Sequence, residues 1–384
     1  MEILTRKKRR SISIFITIQI IIVMISAALG FLISEVRGQS NEELNLLQQA
    51  REIVINNTIL ELKPERAMEY GMIRGFLETL KDPYSIFVEP AANEIQSNEL
   101  TGNYGGVGVR LEQDTQMIWR LYPMPGSPAI EAGITDGDLL VSVEDKIVTP
   151  DMDEVPLIAA LRGPVGEKVK ITIQRDGEIL DFRIRRESIS LPSVSYNLIP
   201  EETRIGMIKI NRISDTTKDE IKTGIQDLSE NGAQGFILDL RNNGGGLVDS
   251  GVEITRLFLE DGEIMRRQFK GQEVEISKVE KPGPFTQYPM VVFVNGNTAS
   301  AAEIVAGAIN KTNRAALIGQ STFGKTTIQY IFDLEDGSSV HITSGRWWIT
   351  GQAFPLEPDL VLAGDATNAV FLQAAIEVLN EKFN

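Results

Sequence analysis

Met290–Val294 followed by Asn295-Gly296-Asn297-Thr298-Ala299-Ser300-Ala301-Ala302-Glu303 decides the fold. The first five residues are apolar and have the length of a buried strand, the next four are a turn, and Ala301 onward opens a helix of small residues through Ala306, Gly307 and Ala308. Strand, turn and helix repeat on both sides of this stretch. Residues 205–210, 236–240 and 315–318 are further apolar runs, separated by helical stretches at 219–229, 250–259 and 301–310. That alternation predicts a largely parallel sheet covered by helices. Ser300 then falls at the carboxyl end of a sheet strand and at a helix N-terminus, where unpaired N–H groups and the positive end of the helix dipole favour an oxyanion. Serine is also a preferred N-cap, so capping is the competing reading of this residue.

Thr322-Phe323-Gly324-Lys325-Thr326-Thr327-Ile328-Gln329 supplies a second chemical group. Gly324 leaves room for close backbone approach beside Lys325. If a strand starts at Lys325, Gln329 shares its face four residues on. A lysine serves as a base only where burial lowers its pKa from about 10.4. The Gln329 amide would then orient the amine; the bland alternative is a solvated loop lysine. A third element, Asp239-Leu240-Arg241-Asn242-Asn243-Gly244-Gly245-Gly246, follows the apolar run at 236–240. It is either a flexible connection or a loop whose N–H groups join those at Ser300 or Ala301 in an oxyanion site.

Between 102 and 187 the pattern changes to short strands and turns. Tyr104-Gly105-Gly106-Val107-Gly108-Val109 enters a strand, Pro125-Gly126-Ser127-Pro128-Ala129 opens a short helix, a second helix falls near 155–162, and Asp176-Gly177 is a hairpin turn. The glycine stretch does not match the dinucleotide fingerprint. It reads as a backbone nest for a peptide's terminal carboxylate beside a strand edge, or as a glycine turn with no ligand. Before this module, apolar residues at spacings of three and four predict two amphipathic helices broken at Lys63-Pro64 and ended at Lys81-Asp82-Pro83-Tyr84-Ser85.

Five basic residues from Arg6 to Arg10 precede 24 uncharged, mostly apolar residues at 11–34. A bilayer is spanned by roughly 20 helical residues, so a retained transmembrane anchor is expected. Ser26-Ala27-Ala28 is a weak candidate for signal cleavage. The basic cluster would stay in the cytoplasm and everything after Glu35 would lie outside. The net charge is −15, from 38 basic and 53 acidic residues, with no basic stripe beyond the N-terminus, which argues against nucleic acid. With no cysteine and one histidine, disulfides, thiolate catalysis and Cys- or His-cluster metal sites are excluded. No metal or cofactor is expected.

Together these segments resemble the C-terminal processing peptidases, or tail-specific proteases. Thr298-Ala299-Ser300-Ala301-Ala302-Glu303 is similar to the family's serine stretch. Phe323-Gly324-Lys325 with Gln329 is similar to its lysine stretch, the glycine loop at 244–246 to its glycine loop, and Asp82-Pro83-Tyr84-Ser85 to its Asp-Pro-Tyr turn. Thr298, Ala302 and Thr326 depart from the usual residues, and 346–359 is shorter than its tyrosine-rich counterpart.

The resemblance implies an α/β protease core at 188–384, an inserted PDZ domain at 98–187, a helical region at 37–97 and a tail with a transmembrane helix at 1–36. Its function would be that of a serine endopeptidase on the outer side of a bacterial cytoplasmic membrane. Ser300 would be the nucleophile, Lys325 the base and Gln329 its orienting partner, with oxyanion N–H groups from Ala301, Gly245 and Gly246. The PDZ domain would take a substrate's free C-terminus at residues 105–109, with Arg162 coupling that binding to the site, and the helices before Asp82 would be able to form a homodimer. Rival readings are a non-catalytic scaffold that binds protein tails and an acyl-transfer enzyme acting on thioesters.

Overall fold

The computed structural model describes residues 45–62 and 64–383. They form two compact units, one ending at Gly71 and the other beginning at Met72. In the first, α1 (Asn45–Asn57) precedes α2 (Glu65–Glu78), which continues into the second unit. Pro64 lies directly before α2, where a missing N–H breaks no helical bond. The anchor expected at 11–34 and its basic flank lie outside the described residues. Among the described residues no helix is long and apolar enough to cross a membrane.

In the second unit the turn at 82–85 leads into β1 (Ile86–Val88) and then α3 (Pro90–Thr101), which starts on proline and stops at Gly102 in the left-handed region, φ 80°. A module follows, entered through β2 (Asn103–Gly106). Its antiparallel sheet comprises β3 (Val109–Gln113), β4 (Trp119–Pro123), β5 (Asp138–Val143), β6 (Lys146–Ile147), β7 (Lys168–Arg175) and β8 (Glu178–Arg185), in the order β3-β4-β5-β7-β8 with β6 beside β5. Helices α4 (Pro128–Ala132) and α5 (Glu154–Leu161) complete it. Leu121, Leu140, Val169, Ile171 and Ile173 form its core. The chain leaves through β9 (Glu187–Ser190), which pairs with β2 so that Asn103 lies opposite Ser190.

The core continues with β10 (Val194–Ile199), β11 (Glu202–Ile210), α6 (Thr217–Glu230), β12 (Gly235–Asp239), α7 (Val248–Arg256), β13 (Glu263–Phe269) and β14 (Glu275–Lys278). After these come β15 (Met290–Val294), α8 (Ala301–Lys311), β16 (Ala316–Gly319), β17 (Thr327–Asp333), β18 (Ser339–Trp348), β19 (Leu360–Val361) and α9 (Asn368–Asn380). The expected sheet is present in the order β10-β11-β12-β15-β16-β19, parallel from β11 onward with β10 antiparallel at one edge. Every residue of β12 and β15 is buried, as central strands covered on both faces require. One face packs on α6, α7 and α8, and the other places Ile237, Phe293 and Ile318 against Phe371, Ala375 and Leu379 of α9.

A second, antiparallel sheet of β1, β13, β14, β17 and β18 was not part of the expectation. Its strands mix polar and apolar residues because one face meets the cleft or solvent, so they carry no continuous apolar run to announce them. β1 comes from the stretch assigned to the helical region, yet it pairs with β18 of the protease core, Ile86 opposite His341. Helix α8 lies within the largest apolar core, and each residue from Ala301 to Ile309 is buried. Burying Ile304, Val305 and Ile309 contributes roughly 1.5–3 kcal/mol each. Gly307 permits close packing: a Cβ there would come within 2.8 Å of Ile349 and 3.4 Å of Leu356.

Candidate active site

Ser300 sits between β15 and α8 with φ 55° and ψ −122°. An ordinary N-cap has extended backbone. A positive φ at a non-glycine residue is strained by about 1–3 kcal/mol and has to be held by its surroundings. The holding groups are identifiable. The Ala299 N–H donates to the Asn243 carbonyl at 2.9 Å, and the Ser300 N–H donates to Glu303 Oε2 at 2.9 Å. Thr298, one of the departures from the family pattern, donates its hydroxyl to the Leu240 carbonyl at 2.9 Å and so ties the turn after β15 to the end of β12.

Glu303 is fully buried and accepts four hydrogen bonds. Oε2 takes the N–H of Ser300 and that of Lys325, both at 2.9 Å. Oε1 takes the Thr322 hydroxyl at 2.6 Å and the Gly324 N–H at 2.7 Å. One carboxylate thus fastens the backbone of the serine segment to that of the lysine segment. Gly324, with φ 89°, passes so close to Pro355 that a Cβ would lie 3.2 Å from its nitrogen.

Ser300, Lys325 and Gln329 line one cleft of about 710 Å³ with Gly244, Gly246, Leu247, Phe269 and Ile328. Lys325 Nζ donates to Gln329 Oε1 at 2.6 Å, and Gln329 Nε2 donates to Thr327 and Thr343 at 3.0 Å each. The amide is therefore fixed with its oxygen toward the amine. No hydrogen bond joins Nζ to Ser300 among the described residues. Burial pushes the Lys325 pKa down, and the nearby Asp82 carboxylate opposes that shift. β17 begins at Thr327 rather than at Lys325, and a register shift between Ile328 and Gln329 brings Gln329 back toward the lysine.

His341, the chain's single histidine, lines the same cleft and is paired at 3.1 Å with Ser339, not with Ser300. Burial holds its pKa down, Asp333 raises it and Lys325 lowers it further.

The glycine loop packs directly on the serine. A Cβ at Gly245 would come within 2.8 Å of the Ala299 carbonyl and 2.9 Å of both Ala301 N and Ser300 Cβ. Of the expected oxyanion donors, Ala301 lies in the first helical turn, where N–H groups have no intrahelical acceptor. Gly246 lines the cleft. The Gly245 N–H, also expected as a donor, is bonded to Asn243 Oδ1 at 2.8 Å. Gly244 lines the cleft as well. Asn243 Nδ2 also donates to the Ile210 carbonyl at 2.9 Å, so this side chain shapes the loop. At the loop's start, Arg241 makes a bidentate pair with the buried Asp239 at 2.6 and 2.8 Å.

In the upstream module Gly105 and Gly106 belong to β2, opposite Ser188 and Glu187, rather than to an open nest. Val107, Gly108 and Val109 line a smaller cleft of about 160 Å³ between β3 and α5, with Leu111, Ile158 and Leu161. β3 is the edge strand there, pairing only with β4. Arg162 ends α5, with its guanidinium 4.2 Å from the Tyr104 ring centre and Nη1 buried without a partner among the described residues. Burial lowers its pKa against the raising influence of Tyr104, Glu94 and Glu99.

Residues 204–361 match the model of peptidase family S41, and residues 120–175 match a PDZ domain. The chain is 33% identical over 348 residues to carboxy-terminal processing protease CtpA of Bacillus subtilis (strain 168), covering 88% of this chain and 74% of that protein. It is 29% identical over 347 residues to a probable CtpA-like serine protease of Staphylococcus aureus (strain COL), covering 89% and 69%. Among solved structures it resembles a photosystem II D1 C-terminal processing protease, with 27% identity, TM-score 0.47, and coverage of 86% of this chain and 90% of that one. With a serine-bearing cleft built on this core and a PDZ module ahead of it, the chain belongs to peptidase family S41 and is a serine peptidase of the carboxy-terminal processing type.

Proposed function

We propose that this serine peptidase is an endopeptidase in which Lys325 is the general base for Ser300 and Gln329 orients the amine. The observation that carries this is the half-buried amine in the same cleft as Ser300, held by the Gln329 oxygen at 2.6 Å and made less basic by burial. Neutral Nζ takes the proton from Ser300 Oγ as the oxygen attacks the scissile carbonyl. The N–H of Ala301, joined by N–H groups of the glycine loop at Gly244 or Gly246, receives the oxyanion. The tetrahedral intermediate collapses, the leaving amine takes a proton from the Lys325 ammonium, and water then hydrolyses the acyl-enzyme. The amine must turn from Gln329 toward Ser300 for the first step, a tightening that catalytic hydrogen bonds commonly undergo once substrate is bound.

The tail-recognition part of the reading rests on the β3 edge and the apolar cleft beside it, which suit an extended peptide that adds a strand and inserts its last side chain. The substrates proposed are extracytoplasmic polypeptides with accessible C-termini, and the apolar stretch at 11–34 is proposed to hold the enzyme at the bacterial cytoplasmic membrane. Exposed Leu46, Ile53 and Leu60 in the N-terminal unit support pairing with a second copy. The test is cleavage of an unstructured polypeptide with a free C-terminus by the parent and by Ser300→Ala, Lys325→Ala and Gln329→Ala. Loss of turnover in the first two, with a smaller loss in the third, is expected. Parent-like cleavage by Lys325→Ala would end the assignment of the base.

A further inference from the structure

We propose that the turn Asp82-Pro83-Tyr84-Ser85 is a positioning element for the base. In this arrangement the Asp82 carboxylate and the Tyr84 ring stabilise the ammonium that Lys325 becomes as it takes the serine proton. The inference rests on the reading of Lys325 as the base and adds to it two groups from a part of the chain more than two hundred residues away in sequence.

The geometry is specific. Lys325 Nζ stands 4.8 Å from the centre of the Tyr84 ring, within the range at which the negative face of an aromatic ring attracts a cation. The turn that presents the ring is rigid: Asp82 Oδ2 accepts the Ser85 hydroxyl at 2.6 Å and Oδ1 accepts the Tyr84 N–H at 3.2 Å. Ser85 Oγ in turn accepts the N–H of Thr343 at 3.1 Å, which docks the turn on β18. Thr343 is also the residue that receives Gln329 Nε2 at 3.0 Å. The same β18 residue therefore locates both the turn that faces the amine and the amide that binds it. Burial works against ionisation of Asp82, but bonds from Ser85, Thr343 and the Tyr84 N–H, with the Lys325 charge, outweigh it and hold the carboxyl below its ordinary value. The shift favours the charged carboxylate.

Other polar and titratable groups line the same cleft. Gln329 of β17 is neutral, and burial lowers the pKa of His341 of β18 while Asp333 raises it. Glu303 of α8 is occupied by backbone donors of the lysine segment. Asp249, Arg267 and Glu275 line the cleft but pair with one another at 2.6 and 2.7 Å. Asp215 lines the cleft as well and accepts the Ser250 hydroxyl at 3.4 Å. Among these groups Asp82 is the one whose charge raises the Lys325 pKa, and the Tyr84 ring is the one that Nζ faces. The role is that of the acid in a Ser-His-Asp triad, which stabilises the cation formed on its base without taking the proton. It also limits how far burial depresses the amine, keeping it basic enough to remove a serine proton.

The test compares the pH dependence of kcat/KM for the parent with that of Asp82→Asn, Tyr84→Phe and Tyr84→Leu on an unstructured peptide. Asp82→Asn and Tyr84→Leu are expected to move the acidic limb to lower pH by roughly half a unit or more, because the ammonium loses a stabilising partner. Tyr84→Phe keeps the aromatic face and leaves the limb in place. A turn with only a structural role would lower activity evenly across pH and move no limb. Limbs unmoved in both Asp82→Asn and Tyr84→Leu, or equal movement in Tyr84→Phe and Tyr84→Leu, would overturn the proposal. Titration of the Lys325 13Cε resonance in Ser300→Ala, with and without Asp82→Asn, reads the same shift without catalysis. It keeps the two ideas apart: activity surviving in Lys325→Ala defeats the base assignment, whereas an inactive Lys325→Ala with an unshifted resonance defeats only the role of the turn.

Discussion

Replacing Glu303 by Gln changes one oxygen of a buried, four-acceptor carboxylate into an NH2 group and leaves the volume unchanged. If the nitrogen takes the place of Oε2, it faces the N–H groups of Ser300 and Lys325; if it takes that of Oε1, it faces the Thr322 hydroxyl and the Gly324 N–H. The hydroxyl can rotate away but a backbone N–H cannot, so at least one buried donor is left unsatisfied, at a cost of about 1–3 kcal/mol. The remaining bonds also fall from charge-assisted to neutral, which removes roughly 1–2 kcal/mol more. A total of about 2–5 kcal/mol is expected in urea unfolding, the sum of those two estimates. Because the lost bonds set the separation of the serine and lysine segments, kcat should fall by about a hundredfold, the penalty of misplacing reacting groups by about 1 Å. Urea denaturation followed by fluorescence and turnover of an unstructured peptide measure both. A variant within threefold of the parent kcat and with an unmoved midpoint would refute the stapling role of Glu303.

Lys325→Met should abolish turnover yet leave the protein at least as stable at pH 7. With its pKa lowered in the fold, the lysine binds a proton in the unfolded chain over a window reaching up to about 10.4 that it does not bind in the folded one. Parent stability therefore rises with pH through that window, and calorimetry should find the variant's Tm at neutral pH equal to the parent's or a few degrees higher; a marked fall would contradict the burial argument. Gly245→Ala should cost roughly 2–4 kcal/mol and at least a hundredfold in kcat/KM, since it combines φ 98° with a Cβ driven against the Ala299 carbonyl, the Ala301 nitrogen and Ser300 Cβ. Near-parent kinetics would show that the loop has room the structure does not grant. Ile158→Glu, which puts a charge into the apolar cleft beside β3, should raise KM for tail-bearing substrates at least tenfold while an unstructured peptide lacking the tail is cut as before. Equal effects on both would separate that cleft from tail recognition.

The parallel sheet was legible because its central strands are almost wholly apolar, and 290–294 and 236–238 announce themselves by that alone. The place of Ser300 after such a strand was legible but left capping as a competing reading, and it was the resemblance to the family's serine and lysine stretches that set Ser300 beside Lys325 and Gln329. The antiparallel sheet was not legible, since β17 and β18 carry cleft-lining polar residues such as Gln329 and His341 between their apolar ones. Glu303 was quoted as part of the serine stretch without a role, although Ser-x-x-Glu at a helix start is a known capping pattern and was the available signal. The direction of the N–H groups at 244–246 was not legible either. Which N–H of a triple glycine points outward depends on the Asn243 side chain, and no local pattern encodes that choice.

The ribbon of β2 and β9 makes the PDZ module a side branch rather than a link in a series. Paired strand residues lie about 5 Å apart, so the excursion from Asn103 to Ser190 begins and ends at nearly one point. A lineage could therefore lose, gain or exchange the whole branch at that neck through a single tight turn, leaving β1 joined to β18 and the hydrolytic machinery intact. Substrate choice and bond-breaking would then evolve on separate schedules within one polypeptide.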